Sequence, residues 1–550
     1  MFANQRVPAV IVGAGPVGLT LAIDLATRGI ESMILEKGDG TIEHPRTGLV
    51  AVRTMEFFRR WGMAQAIRNC GFPEDYDLSI EFCTSMRGFG MERDEYPSMR
   101  DMPTPSWTPE KKQRCPQQWL DPILKKELEK KALSNTRFNC NVDDFIQYKD
   151  EVRIQATDTL TDQRIEFSAD YLIGCDGAGS TIRTLLDIPM RGKPHLNYSM
   201  GILFESPDLL AKCGKLPAER FLFIGPEGTW GNLTVIDGKS TWRLTVYGSA
   251  DKFDLDDFDA RAWIERAIGK GPGDASIEFT VHSVLPWKRT ELIAERYRSG
   301  RVFLCGDAAH TMSPTGGMGM NTGVADAADL SWKLEAALKG WAGAALLDSY
   351  EQERKPIAAR NAAYSTHNFQ TWTSPPKCAY LLDDTAAAAQ ARAAIGADLK
   401  AATMSEWQSW GLQVGYRYEG SALCIPDGTP PTPDDYSEYV PTARPGSRAP
   451  HAWIGEQRST LDLFGDGFAL LAFKDACRES VTKFEAASQS RGVPLTVTYI
   501  SEPGVAELYQ APLVLVRPDG HVAWRGDAVR NAERVLDTVR GAEPRLSVEV

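Results

Sequence analysis

Residues 9–36 constrain what this chain can fold into more than any other stretch. Ala9-Val10-Ile11-Val12 is rich in β-branched residues, as befits a parallel strand buried on both faces. Gly13-Ala14-Gly15-Pro16-Val17-Gly18 follows, then a helix-like run to about Arg28 that Gly29 stops. Ser32 to Glu36 reads as a second strand, so the unit closes within about 30 residues and ends on an acid. The glycines at 13, 15 and 18 permit a tight turn and let a pyrophosphate approach a helix N-terminus, with Pro16 and Val17 between them. Glu36, followed by Lys37, can accept both hydroxyls of a ribose. The pattern predicts a nucleotide-binding βαβ unit for a ligand that contains ADP. At this point FAD and NAD both remain open.

A second stretch narrows the choice. Val302 to Cys305 reads as a short buried strand, and Leu330, Leu334 and Leu338 lie at helical spacing further on. Between them runs Gly306-Asp307-Ala308-Ala309-His310-Thr311-Met312-Ser313-Pro314-Thr315-Gly316-Gly317-Met318-Gly319-Met320-Asn321. Asp307, at a strand end, can bind a ribityl hydroxyl. The backbone N–H groups of Gly317, Gly319, Met320 and Asn321 open a helix, and their partial positive charge favours an anion. A reduced flavin is negative at N1 and its neighbouring carbonyl, and such a loop stabilises it. Paired with the first motif, this stretch turns an ADP signal into FAD.

At 550 residues the chain exceeds a single core, and two to four domains are expected. A net charge of −12 with no long basic run argues against nucleic acid and anionic membranes. Ten scattered cysteines form neither a CxxC pair nor a zinc knuckle, which predicts reduced thiols and a cytoplasmic protein. Seven histidines without HxH or HxxxH spacing predict no metal site. The uncharged run Pro8 to Ile23 is interrupted by glycines and Pro16, and is read as fold rather than as a targeting or membrane segment.

The expected fold class is α/β, with three parts. A discontinuous Rossmann-like FAD-binding domain takes 1–75, 110–190 and 285–365. A mainly antiparallel β substrate domain takes 76–109 and 191–284, because Leu196 to Val246 alternates apolar and polar residues with glycine turns. Residues 366–423 form a helical connection, and the prolines of 424–450 read as a linker. A separate α/β domain takes 451–550, with strand-like Ala469 to Phe473 and Leu495 to Tyr499 and a hairpin over 511–525.

Four stretches together resemble the flavin-dependent aromatic hydroxylases of the para-hydroxybenzoate hydroxylase and phenol hydroxylase type. They are Gly13 to Gly18 with Glu36; Pro45-Arg46-Thr47-Gly48-Leu49 with Arg53 to Glu56; Gly174-Cys175-Asp176-Gly177-Ala178-Gly179-Ser180-Thr181-Ile182-Arg183; and Gly306 to Asn321, continued by Trp332-Lys333-Leu334 and Asp348 to Arg354. The resemblance implies tightly bound, non-covalent FAD and NADPH or NADH as a transient reductant without its own Rossmann domain. It implies O2 adding at the flavin C4a and a peroxide oxygen attacking a phenolic ring. The implied partners are a small aromatic substrate and O2, and a homodimer is admitted. It places Arg46 by the pyrophosphate or the flavin ring, Gln117 and the Asp176-Gly177 pair on the cofactor, Arg243 as a flavin-positioning arginine, and Pro314 at the reactive edge. Asp121 stands where the family usually has Glu. The hairpin Pro518 to Arg525 resembles the thioredoxin-like tail of the phenol hydroxylase branch, and Cys477 has no nearby partner for thiol–disulfide exchange.

One departure bears on mechanism. Phenol hydroxylases carry an aspartate where this chain has Thr47, and a hydroxyl is a poor base at neutral pH. Either another residue deprotonates the substrate or an electron-poor nitro-, halo- or carboxyl-phenol arrives already ionised. Tyr198, Trp230 and Thr245 of the alternating region are candidate substrate contacts. The competing readings are a flavin halogenase or other FAD oxidoreductase, although no Trp-x-Trp-x-Ile-Pro stretch occurs, and a flavin-binding redox sensor or assembly subunit without turnover.

Overall fold

The structure is a computed structural model that describes residues 6–42, 44–45, 48–248, 257–270, 276–473 and 478–544, with Ser405 described by its backbone alone. Arg46, Thr47 and Cys477 lie outside the described residues.

Five parallel strands form the centre of an eight-stranded first sheet, in the order Ser134–Arg137, Ser32–Leu35, Arg6–Val12, Arg164–Gly174 and Val302–Leu304, and Cys140–Gln147, Val152–Asp158 and Arg298–Ser299 join it antiparallel. The β-branched run at 9–12 sits at its centre, with Ala9, Val10 and Ile11 fully buried. From Arg6–Val12 the chain builds outward on one side through Ser32–Leu35 and Ser134–Arg137. It then returns to add Arg164–Gly174 and Val302–Leu304 on the other. A change of direction beside a central strand leaves a crevice at the carboxyl ends of the strands, where such sheets bind ligands. The helices Pro16–Thr27 and Met318–Leu338 pack against each other at this sheet.

The second sheet has eight strands, in the order His310–Thr311, Thr280–Ala294, Met190–Glu205, Thr241–Tyr247, Gly228–Val235, Arg220–Gly225, Ile80–Cys83 and Gly90–Asp94. It is antiparallel except where Ile80–Cys83 runs parallel to Arg220–Gly225. The 76–109 excursion therefore adds two strands to the sheet built by 190–294. One face carries a core of Met200, Ile202, Phe204, Leu244 and Val246. The other is covered by the helices Ser349–Thr373 and Ala386–Trp407.

The tail sheet runs Leu495–Tyr499, Phe468–Ala472, Leu513–Val516, Val522–Gly526. The first pair is parallel and the others antiparallel, a thioredoxin-like arrangement. Its helices Arg478–Arg491 and Ala532–Val539 share a core with Trp332 and Trp341. The proline-rich stretch 424–450, expected to be a linker, is packed. Ile425, Gly446 and Ala449 donate backbone hydrogen bonds to Ala523, Val522 and Gly520, and Ala443, Arg448 and Ala449 are buried. The prolines remove backbone donors and forbid regular structure, but they do not prevent the stretch from lying along the hairpin. Among the described residues no helix is long and apolar enough to cross a membrane.

Candidate active site

The carboxyl ends of the parallel strands are laced together by backbone hydrogen bonds. Gly13 donates to Leu35, Cys175 to Val12 and Cys305 to Gly174, at 2.8, 2.8 and 2.9 Å. Gly13 has φ +106°, and a Cβ there would lie 2.5 Å from the Cys175 carbonyl oxygen. A Cβ at Gly18 would lie 2.1 Å from the Gly13 oxygen. Gly15 differs: a Cβ there meets nothing within 4 Å. Gly15 is the N-cap of Pro16–Thr27, and no side chain caps that helix. Pro16 at its first position has no N–H, and the next N–H groups, of Val17 and Gly18, have no side-chain cap, as a pyrophosphate site requires. Glu36 accepts hydrogen bonds from the Ala14 N–H at 2.7 Å and the Gly38 N–H at 2.9 Å. These fix its carboxylate beside the turn and leave lone pairs for ribose hydroxyls. Lys37 is exposed.

The second motif meets the first through Val17. A Cβ at Gly306 would touch Val17 at 3.1 Å, and one at Gly323 would fall 2.6 Å from it. Gly317 is the N-cap of Met318–Leu338 in a left-handed conformation (φ +66°), again with no side-chain cap. Asn321 holds this end in place. Its Oδ1 accepts from the Ala51 N–H (2.9 Å) and the Thr54 hydroxyl (2.7 Å), and its Nδ2 donates to the carbonyls of Leu49 (3.1 Å) and Gly317 (2.7 Å). The Asn321 side chain is thus a clamp, and the open donors lie on the backbone of the first turn. Asp307 and Pro314 are exposed, and Gly319 and Met320 are half-buried. A Cβ at Gly319 would lie 3.9 Å from Asp307 Oδ1, so acid and helix start are adjacent. Below the loop, His310 Nε2 lies 2.6 Å from Asp326 Oδ2, and Arg354 Nε donates to Asp326 Oδ1 at 2.7 Å. Burial alone would raise the Asp326 carboxyl, but His310 and Arg354 override it and hold it below its ordinary range.

Arg183 joins the Asp176 turn to this loop, donating to the carbonyls of Ala178 and Ala308, each at 3.0 Å. Asp176 Oδ2 accepts the Ile182 N–H at 3.1 Å, and Gly177 has φ +80° with open space around it. Gln117 begins the helix Gln117–Glu129 and donates to Asp121 Oδ2 at 3.2 Å. Burial pushes the Asp121 carboxyl up to about 6. Two uncapped helix starts, a ribose-competent glutamate and Asp307 converge on one crevice, and this donor set fits an FAD.

The inner face of the second sheet lies beyond the loop. Arg243, Thr245 and Tyr247 alternate onto one face, and their cross-strand neighbours Leu203, Gly201 and Ser199 share it. The same register brings in Asn232 and Arg289. The neighbours Thr47 and Arg46 are not described, but Pro45 accepts from Arg243 Nη1 at 2.8 Å and His44 Nδ1 lies 2.9 Å from Ser283 Oγ. The Arg289 guanidinium stacks over Phe369, Trp287 and Tyr247 at 4.2, 4.3 and 5.3 Å, and donates to Ser313 Oγ at 3.1 Å. Burial, together with nearby guanidiniums, brings both Arg243 and Arg289 down to about 10, so both stay cationic at neutral pH. Among the described residues neither forms an ion pair, and each has a buried Nε without a hydrogen-bond partner.

The other two candidate substrate contacts are placed elsewhere. Tyr198 falls on the parity of Met200, opposite Ser199, and packs on His195 with ring centroids 4.6 Å apart. Trp230 is the extra residue of a β-bulge, where Phe223 pairs with Gly231 and Ile224 with Thr229. The bulge turns it into the outer core, stacked on Phe223 at 5.0 Å. Simple alternation cannot anticipate a bulge.

Sequence reasoning passed over three residues here: Arg289, Tyr247 and Glu406. Arg289 and Tyr247 were legible as charged or polar residues on the parity of Thr245 once strand pairing is known. Glu406 lies in the last turn of the helix Ala386–Trp407, and nothing in its local sequence marks it. Its side chain is 1% exposed, and it accepts the Gly316 N–H at 2.8 Å.

Comparison with known proteins agrees with this architecture. Residues 6–365 match the family "FAD binding domain", and 442–542 match "Aromatic-ring hydroxylase, C-terminal". The FAD-dependent monooxygenase apdD of Emericella nidulans is 33% identical over 96% of this chain and 90% of its own. The 2,4-dichlorophenol 6-monooxygenase of Delftia acidovorans is 31% identical over 98% and 97%. The structure of RebC soaked with chromopyrrolic acid and holding 7-carboxy-K252c superposes with a TM-score of 0.90 at 38% identity, covering 98% of this chain and 100% of that one.

Proposed function

This chain belongs to the FAD-dependent aromatic-ring hydroxylases, and from that premise we propose that it hydroxylates an aromatic ring that is anionic when bound, using O2 and either NADPH or NADH. The observation that carries the reading is the pair Arg243 and Arg289. Two buried guanidiniums with no carboxylate within ion-pair distance are costly to leave unpaired, and a phenolate or ring carboxylate would complete them. An electron-poor nitro-, halo- or carboxyl-phenol suits such a site, because it ionises without a strong base at position 47. The dichlorophenol named for one relative is of this class.

FAD, when bound, supplies the oxidising chemistry. The protein's own part is to hold and shield. The helix starts at Gly15 and Gly317 offer N–H groups to negative charge. Arg289 ties the sheet to Ser313, one residue from Pro314, so the anion subsite is hydrogen-bonded to the loop at the ring's edge. Phe369, Trp287 and Tyr247 around Arg289 exclude water and strengthen its pull on an anion. All nine described cysteines are free thiols, which supports a reducing compartment, and we assign the cytoplasm.

A panel of phenols that differ in acidity and in carboxyl, nitro and halogen substituents tests the reading. Stimulated NAD(P)H oxidation and incorporation of one atom from 18O2 are expected for the acidic members. Equal stimulation by neutral and anionic rings would overturn the anionic assignment, and oxygen consumption without labelled product would overturn hydroxylation.

A further inference from the structure

Glu406 lies between the two segments that the family descriptions match, which end at 365 and resume at 442. It reaches the loop 313–317 from the last turn of Ala386–Trp407. Its Oε1 accepts the Gly316 N–H, while its Oε2 is buried without a hydrogen-bond partner. Gly316 has φ +84°, and its open side is filled by Tyr364, Asn368 and Glu406, with a Cβ 3.4 to 3.9 Å from each. We propose that Glu406 is a positioning residue for the flavin-side loop, holding Gly316 and through it Pro314 in register with the helix start at Gly317. The proposal rests on the reading of this loop as the flavin edge.

The latch has an electrostatic setting. Arg220 lies 3.7 Å away, outside hydrogen-bond range, and is itself held between Trp372 and Trp407 at 4.8 and 5.0 Å. Arg220 at the start of the strand Arg220–Gly225, Glu219 just before it, and Arg289 from another strand act on Glu406 electrostatically. Among the described residues, Lys112, Tyr96, Tyr247 and Tyr364 are the remaining titratable groups around it. Burial outweighs Arg220 and the Gly316 N–H and pushes the carboxyl up to about 7. The group is therefore ionised above about neutral pH and takes up a proton as pH falls through that point. A hydrogen bond to a carboxylate is roughly twice as strong as one to a neutral acceptor, so the loop is held tightly on the alkaline side and loosened on the acid side.

Amide hydrogen exchange of a peptide spanning 312–320 reads this directly, in the FAD-loaded full chain. After correction for intrinsic rates, wild-type protection should fall between pH 8 and pH 6. Glu406→Gln keeps an acceptor without the charge, and its protection should no longer depend on pH. Glu406→Leu should lose protection about tenfold at pH 8 and less at pH 6, where the wild-type latch is already loosened. Wild-type substrate-stimulated NAD(P)H oxidation should show an inflection near neutrality, and it should vanish in Glu406→Gln. Wild-type protection in the Leu variant, or an unchanged inflection in the Gln variant, would overturn the latch while leaving the flavin reading intact. If the wild-type protein took up no FAD, the flavin reading would fall, and the exchange of 312–320 in the apo chain would still decide the latch.

Discussion

Val17 and Gly323 touch so closely that a Cβ at 323 would fall 2.6 Å from Val17 Cγ2 and 3.1 Å from the Gly306 Cα. This contact joins the first glycine turn to the loop of Asp307 and Pro314 across 300 residues of sequence. Alanine at 323 must push the helix Met318–Leu338 off the first turn. Overpacking of this kind costs about 1–3 kcal/mol. Gly323→Ala should therefore weaken FAD binding about tenfold or more while the tail core stays intact, as measured by flavin fluorescence quenching on reconstitution.

Gly15 and Gly18 separate ligand space from packing space. Alanine at 15 meets nothing in the protein, whereas alanine at 18 would drive into the Gly13 carbonyl. Gly15→Ala should fold with a Tm close to wild type and lose FAD, because the new methyl occupies the approach of the pyrophosphate. Gly18→Ala should lose both stability and FAD. Thermal melts of apo and reconstituted protein distinguish them, and a Gly15→Ala protein that retains FAD would show that the pyrophosphate lies elsewhere.

Local sequence disclosed the strands at 9–12, 32–36 and 302–305 and the crevice between them, because strand, glycine turn and helix start are contiguous there: Val12 to Pro16 and Leu304 to Met318 are each read in one pass, whereas Ser134–Arg137, Cys140–Gln147 and Val152–Asp158 carry no such turn and were missed. It disclosed the tail hairpin for the same reason. The second sheet's inner face was only half legible. Thr245 follows from alternation, but Arg289 joins it through pairing with a strand some 90 residues earlier, and the bulge at Trp230 reverses the side that alternation assigns. Glu406 was invisible because its role depends on a backbone N–H 90 residues away.

The split between the sheet's two faces predicts two opposite phenotypes. Arg289→Met removes a buried cation facing the loop, and a lost hydrogen bond to a charged group is worth about 1.5–3 kcal/mol. KM for an anionic substrate should rise about 10- to 100-fold on that basis, with a much smaller change for a neutral ring. Trp230→Phe shrinks a residue of the outer core, so it should lower Tm and leave KM for either substrate near wild type. Steady-state kinetics on one anionic and one neutral phenol, set beside melting curves, checks both, and a shared KM effect would place Trp230 back at the substrate.

Arg517 fastens the tail to the FAD-binding part through Glu353. Its Nη1 lies 2.6 Å from Glu353 Oε1, and its Nη2 lies 2.8 Å from Glu353 Oε2 and 3.1 Å from Asp329 Oδ1. Lys333 Nζ is 2.6 Å from the same Glu353 and 2.7 Å from Asp329. All four side chains are at most 1% exposed. Burial alone would raise the Glu353 carboxyl, but Arg517 and Lys333 reverse this and hold it at about 2. A depressed carboxylate stabilises the fold above its unfolded value of about 4.3, and that contribution is lost as pH falls through the folded value. Glu353's contribution to docking of the tail should therefore hold down to about pH 4 and weaken as pH falls toward about 2, whereas burial pushes the neighbouring Asp329 carboxyl up to about 8, so Asp329 adds no such acid-side stabilisation. Arg517→Met leaves the Glu353 carboxylate buried with one cation fewer, which costs about 3–5 kcal/mol. The variant should release a tail fragment in limited proteolysis at neutral pH, where the wild type resists. Arg517→Lys should recover only part of that resistance, because one ammonium cannot span both Glu353 oxygens and Asp329.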